Sequence, residues 1–172
     1  MTTVTGIEPP LEAIERLAPL IREHADASER EATLAAPVVV ALRDAAIFRQ
    51  TVPASLGGAE VDPITWYRTV EAASRIDGST GWVLFINGST GIHGRNMSAE
   101  AAEPFMRDPA TIVSGAVFPF AKAVASEGGA FVTGRSPYAS GCKHATHVVV
   151  FAVLHDGDVP RMTPFGPDLR MA

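Results

Sequence analysis

Apolar residues recur every three or four positions through roughly the first hundred residues and nearer every second position afterwards, and this change of period divides the chain. Leu11, Ile14, Leu17, Ala18, Ile21 and Ala25 form one stripe, with Glu15, Arg16, Arg22 and Glu23 between them. That spacing predicts an amphipathic helix, which Pro19 is placed to kink. Ser28 with Glu31 three residues on reads as a capping box for a second helix carrying Leu34, Val38, Leu42, Ala45 and Phe48. Pro37 either bends that helix or marks its true start, and Pro53-Ala-Ser-Leu-Gly-Gly-Ala ends it as a loop. Asp62-Pro63 reads as cap and first position of a third helix, whose stripe is Ile64, Tyr67, Val70, Ala73 and Ile76.

Gly78-Ser-Thr-Gly81 should turn the chain into a short helix holding Trp82, Leu84, Phe85 and Ile86. A segment apolar on every side belongs in the centre of a helical core. Ser98 caps one more helix toward Met106, with Pro104 inside it. After Asp108-Pro109, glycine, valine and aromatic residues replace the helix formers, and a β domain begins. Its expected strands are 111–118, 121–126, 130–134 and 147–154, with hairpin turns at Glu127-Gly128-Gly129 and Asp156-Gly157-Asp158. Leu169-Arg-Met-Ala172 reads as the start of another strand. Helices first and strands second predict an α+β fold, with a helical domain over 1–109 and a partial β domain over 110–172.

Composition narrows the function classes. A net charge of -5 gives no electrostatic footprint for nucleic acid or an anionic membrane. The first ten residues lack the basic start and apolar run of a signal peptide, and no apolar run approaches the length of a membrane span. One cysteine cannot form an internal disulfide, which favours a reducing cytoplasm. Small molecules and proteins remain as partners.

Dinucleotide, phosphate-loop and nucleophile-elbow signatures are absent. Cys142, His144 and His147 offer metal-ligand chemistry, but their spacing matches no standard zinc site and no fourth ligand is evident, so no metal is assigned. Cys142 reads instead as a small packed residue, and the two histidines as loop residues without a task. The most informative stretch is Gly134-Arg-Ser-Pro-Tyr-Ala-Ser-Gly-Cys-Lys-His-Ala-Thr-His147, a polar, glycine-bounded loop that leads straight into an apolar strand.

Together with Leu42-Arg-Asp-Ala-Ala-Ile-Phe, Glu71-Ala-Ala-Ser-Arg-Ile-Asp-Gly-Ser-Thr-Gly-Trp82 and Ser114-Gly-Ala-Val-Phe-Pro, this loop resembles the acyl-CoA dehydrogenase superfamily over nearly the whole chain after residue 11. Within it the sequence looks most like the two-component flavin monooxygenases, which hydroxylate aromatics with O2 and reduced FMN or FAD supplied by a separate reductase. Two places carry that preference: Gly115-Ala-Val-Phe-Pro-Phe-Ala-Lys-Ala, where dehydrogenases have an acidic Pro-Gly-rich segment, and the Ser-Pro-Tyr-Ala-Ser-Gly-Cys loop itself. The resemblance implies an antiparallel, barrel-like β domain, of which only the first part is present, and a further helical bundle that this chain lacks. It also implies a homo-oligomer, a tetramer in the family.

A reduced flavin ring needs apolar walls, hydrogen-bond partners for its nitrogens and carbonyls, and shelter from water. By resemblance, Ser140 and the backbone of Gly141 meet the flavin near N5, and Tyr138 or Phe118 walls the ring. His93 meets the substrate and accepts a phenol proton, Ser114 bonds the substrate hydroxyl, and Trp82 lines the pocket. Blander readings stand beside these. Residues 136–141 form a turn whose hydroxyls satisfy the backbone, His93 is a helix-terminal histidine held by the dipole, and Trp82 is a core residue. Arg135 and Lys143 either meet a flavin phosphate or are solvated. Two other functions compete with the monooxygenase: an acyl-CoA dehydrogenase with bound FAD, and a shortened, inactive paralogue that binds a partner. Little or no turnover is expected from residues 1–172 alone.

Overall fold

A computed structural model describes residues 6–171, apart from the side chain of Pro119. Six helices come first: α1 Pro10–Glu31, α2 Ala36–Asp44, α3 Pro63–Ile76, α4 Gly78–Asn87, α5 Thr90–Gly94 and α6 Ala99–Arg107. Seven strands follow: β1 Val113–Ser126, β2 Gly129–Thr133, β3 His147–Asp156, β4 Val159–Pro160, β5 Met162–Thr163, β6 Gly166–Pro167 and β7 Leu169–Met171. The expected α+β order is therefore present. Ala172, with which the last expected segment ends, lies outside the described residues.

The first helix is longer than its stripe predicts, running through Pro19 to Glu31. Ser28 does not cap a second helix. It lies inside α1, where its hydroxyl donates to the His24 carbonyl at 2.9 Å and accepts the Ala35 N–H at 3.0 Å. The turn is made by Ala32, whose left-handed backbone (φ 49°) lets the N–H groups of Ala32 and Thr33 cap the last α1 carbonyls. Pro37 then stands in the first turn of α2, the true start that its fixed φ favours. Phe48 follows in a short 3-10 turn, Ile47–Arg49, and a second such turn, Ala54–Leu56, lies in the expected loop.

Asp62 caps α3 as expected, accepting the N–H groups of Ile64 and Thr65. The buried face of α3 is displaced from the predicted stripe. Trp66, Thr69 and Ala73 are buried while Ile64 and Tyr67 are exposed. The apolar stripe of α3 is wide enough to be turned either way, and stacking of Trp66 on Phe85 of α4, with centroids 5.5 Å apart, accompanies the observed choice. Asp77 caps α4, accepting Thr80 N–H, so 78–81 is the first turn of the helix rather than a turn before it. Val83 and Leu84 of α4 join Ile14, Ile21, Leu42, Ile47 and Phe48 in one core. Each fully buried side chain of this size contributes about 1.5–3 kcal/mol relative to exposure.

The sheet order is β2-β1-β3-β4, with β7 also on β3. β1–β2, β3–β4 and β3–β7 pair antiparallel, but the central pair, β1–β3, is parallel, which corrects the expectation of an antiparallel sheet. The reason lies in the connection. Residues 134–146 carry the chain back to the start of β1, where the N–H groups of Thr146 and His147 bond the Ile112 carbonyl, so β3 leaves in the direction of β1. The two strands expected at 111–118 and 121–126 are one strand. Its ladder with β3 is interrupted between Ala116 and Ala121, where Pro119 has no N–H to give, and Val117, Phe118 and Phe120 are exposed beside the irregularity.

Candidate functional site

The long connection before β3 is pinned to the helices by side chains, and the pinning creates a groove. Asn87 ends α4 and is fully buried. Its Nδ2 donates to the carbonyls of Val113 (2.5 Å) and Ser140 (3.4 Å), and its Oδ1 lies 3.1 Å from His144 Nε2. Because Nδ2 faces two carbonyls, Oδ1 must accept, so His144 carries its proton on Nε2. His144 Nδ1 is then an acceptor, buried without a partner. Ser114 donates to the Ser140 carbonyl at 2.9 Å, and the Trp82 indole N–H donates to the Ser140 hydroxyl oxygen at 2.8 Å.

These bonds hold residues 137–144 across from the end of α1 and the first turns of α4, enclosing a groove of about 680 Å³. Its walls include Ser28, Thr33, Trp82, Tyr138, Ser140 and His144. Trp82 is 55% exposed and Tyr138 83% exposed, so two aromatic side chains border the space. The Ser140 oxygen receives the indole proton and keeps its own hydrogen to donate. Flat apolar walls beside one hydroxyl donor fit a planar heteroaromatic group with an acceptor on its edge.

The sequence-predicted residues divide here. Trp82, Tyr138, Ser140 and Gly141 line one groove, and Ser114 supports it from below. Ser114 itself is buried, with its hydroxyl committed to the loop carbonyl. His93 lies on α5 and Phe118 on β1, and neither lines this groove; Phe118 is 74% exposed. Burial lowers the pKa of His93 and of His144. Trp82 is not the core residue of the blander reading. Cys142 is exposed at the rim, which corrects its reading as a packed residue, since the 141–144 turn faces outward there. Lys143 is engaged with protein, its ammonium donating to the Glu31 carbonyl at the end of α1. Among the described residues, no three His, Cys, Asp or Glu side chains gather as metal ligands, and no helix is long and apolar enough to cross a membrane.

Asn87 and His144 escaped the sequence reading. The signal was an asparagine closing an otherwise apolar helical run, a residue type that is not buried there without partners.

No family model matches the sequence. The chain is 34% identical over 149 residues to the flavin-dependent monooxygenase oxygenase subunit HsaA of Mycobacterium tuberculosis, an alignment covering 86% of this chain and 38% of that protein. The indole-3-acetate monooxygenase of Acinetobacter baumannii is 30% identical over 139 residues, covering 80% of this chain and 36% of the relative. The crystal structure of the M. tuberculosis HsaA monooxygenase superposes with a TM-score of 0.84 at 30% identity, over 95% of this chain and 43% of that one.

The chain is a homologue of these monooxygenases. It spans about two fifths of the length of the relatives it matches. The homology carries the acyl-CoA dehydrogenase-like fold with it, and the helices followed by a partial sheet correspond to that share of the architecture.

Proposed function

We propose that this chain forms part of the oxygenase component of a two-component flavin-dependent monooxygenase that hydroxylates an aromatic substrate. The single observation that carries this is the groove in which the Trp82 indole and the Ser140 hydroxyl are joined beside Tyr138. The relatives above, being flavin-dependent or aromatic-substrate monooxygenases, favour this branch over the dehydrogenases. Reduced FMN or FAD, delivered by a flavin reductase, supplies when bound the two electrons for reducing O2, with one oxygen atom entering the substrate and the other leaving as water.

The chain's own residues then have defined tasks. Trp82 and Tyr138 wall the ring and exclude water, and Ser140 donates its hydroxyl hydrogen to the ring edge. The backbone of Gly141 allows close approach, and Ser114 fixes the Ser140 carbonyl. His93, kept neutral at pH 7 by its burial, is able to accept a phenol proton, while Phe118 stands exposed on β1 outside the groove. In this reading residues 1–109 and 110–172 are two domains, and the working assembly is a homo-oligomer.

The test is binding. In anaerobic titrations the full chain should quench and saturate with reduced FMN or FADH2, and Ser140→Ala should weaken that binding. A wild-type chain that binds neither reduced flavin ends this reading.

A further inference from the structure

We propose that Asn87 is the positioning residue of the groove, setting the Ser140 hydroxyl through its backbone and holding His144 in the Nε2–H form. The proposal rests on the reading that the Ser140 side of the groove receives the flavin ring.

Nothing in the packing of α4 demands an amide at this place. Asn87 is fully buried and follows Val83 and Leu84 into the interior, where a leucine would fill similar volume without desolvating a polar group. The amide is kept whole by partners from two other segments: the Val113 carbonyl at the start of β1, and Ser140 and His144 in the connection before β3. One side chain therefore ties together the helix, the sheet and both ends of the 140–144 turn.

The contact is close. Gly141 has φ +75°, and a Cβ placed on it would lie 2.0 Å from Asn87 Oδ1. The loop backbone thus rests directly on the amide, and a shift of the amide is a shift of the loop. The Ser140 carbonyl is held by Ser114 and Asn87, while the Ser140 side chain is held by Trp82. With carbonyl and indole both fixed, the hydroxyl has one position, and its remaining hydrogen is aimed by that position. Asn87 acts on the ligand only through Ser140 and does not line the groove.

The experiment uses the 15N-labelled full chain, whose two tryptophans give two indole N–H signals, that of Trp82 identified by its loss in Trp82→Phe. Asn87→Leu should move the Trp82 signal, speed its exchange with solvent, and weaken reduced-FMN binding roughly tenfold. His144→Ala should move the same signal, and His144→Gln, whose side-chain amide can donate to Asn87 Oδ1, should bring both the signal and the affinity back. Should Asn87→Leu fail to fold, the His144 pair decides alone. A Trp82 signal unmoved in the folded variants, or moved equally by His144→Ala and His144→Gln, overturns the proposal. If wild type binds neither reduced FMN nor FADH2, the flavin reading falls, and the indole signals still decide the positioning.

Discussion

The Trp82 indole N–H donates to the Ser140 hydroxyl at 2.8 Å, joining residues 58 positions apart across the mouth of the groove. The bond couples a half-exposed helix residue to the loop that precedes β3. Trp82→Phe keeps the aromatic wall and deletes the donor. Because the indole is partly solvated, unfolding in urea should show a loss of only about 0.5–1 kcal/mol. Reduced-flavin affinity should fall more than stability does, since the phenylalanine no longer orients the hydroxyl.

Gly141 offers a sharper comparison, because Gly128 shares its backbone geometry but not its surroundings. Both have positive φ, +75° and +76°, and a Cβ on Gly128 would meet nothing within 4 Å. Gly128→Ala should therefore cost only the left-handed backbone penalty, about 1–2 kcal/mol. Gly141→Ala adds the collision with Asn87 and should cost clearly more, with loss of reduced-flavin binding. Equal melting temperatures for the two variants would show that the loop is not seated on the amide.

The order of elements was legible in the chain because period, caps and turn residues are local. Asp62, Ser98 and the Glu127–Gly129 turn behave as their residue types dictate. What was not legible is tertiary. Ser28 satisfies a capping pattern, yet the helix continues past it because its hydroxyl finds the His24 carbonyl and the Ala35 N–H instead. The buried face of α3 is not legible locally, because Trp66 finds Phe85 only once α3 and α4 pack. The parallel β1–β3 pairing depends on a thirteen-residue connection, 134–146, whose path is set by bonds to Ile112 and Asn87. The groove aromatics Trp82 and Tyr138 lie in two of the stretches that carry the family resemblance, whereas Asn87 and His144 acquire meaning only from each other.

Arg49 shows how a buried cation holds a junction without a carboxylate. It is 5% exposed, and its guanidinium donates to the carbonyls of Leu56, Met106 and Asp108 at 2.7–2.8 Å, with Gly57 at 3.4 Å. Burial lowers its pKa, opposed by the Asp108 charge, yet arginine starts so far above neutrality that the charge remains. Arg49→Met fills the space and leaves the Leu56 and Met106 carbonyls without donors, while the Asp108 carbonyl keeps the Thr111 N–H. A loss of about 3 kcal/mol or more is expected in chemical denaturation. Arg49→Lys cannot span the same fork of acceptors and should recover only part of it.

The histidines give the chain a pH dependence whose sign follows from burial. His93 and His144 have folded pKa values below the ordinary 6.5, because burial disfavours the imidazolium, and a proton added to His144 Nδ1 meets no acceptor. In the unfolded chain both rings protonate near 6.5, so as pH falls through that value the unfolded state binds more protons and stability declines. The decline ends below the folded values. Glu8, Asp62, Asp156 and Asp158 are held below their usual values by hydrogen bonds, from Arg16, Thr65, Arg161 and Lys122 respectively, and stay ionised through this window. The melting temperature should therefore be lower at pH 5.5 than at pH 7.5. His144→Gln should flatten the profile, because its amide keeps the bond to Asn87 and cannot titrate. A profile unchanged by that substitution and by His93→Gln would mean that neither ring is protonated more readily in the unfolded chain.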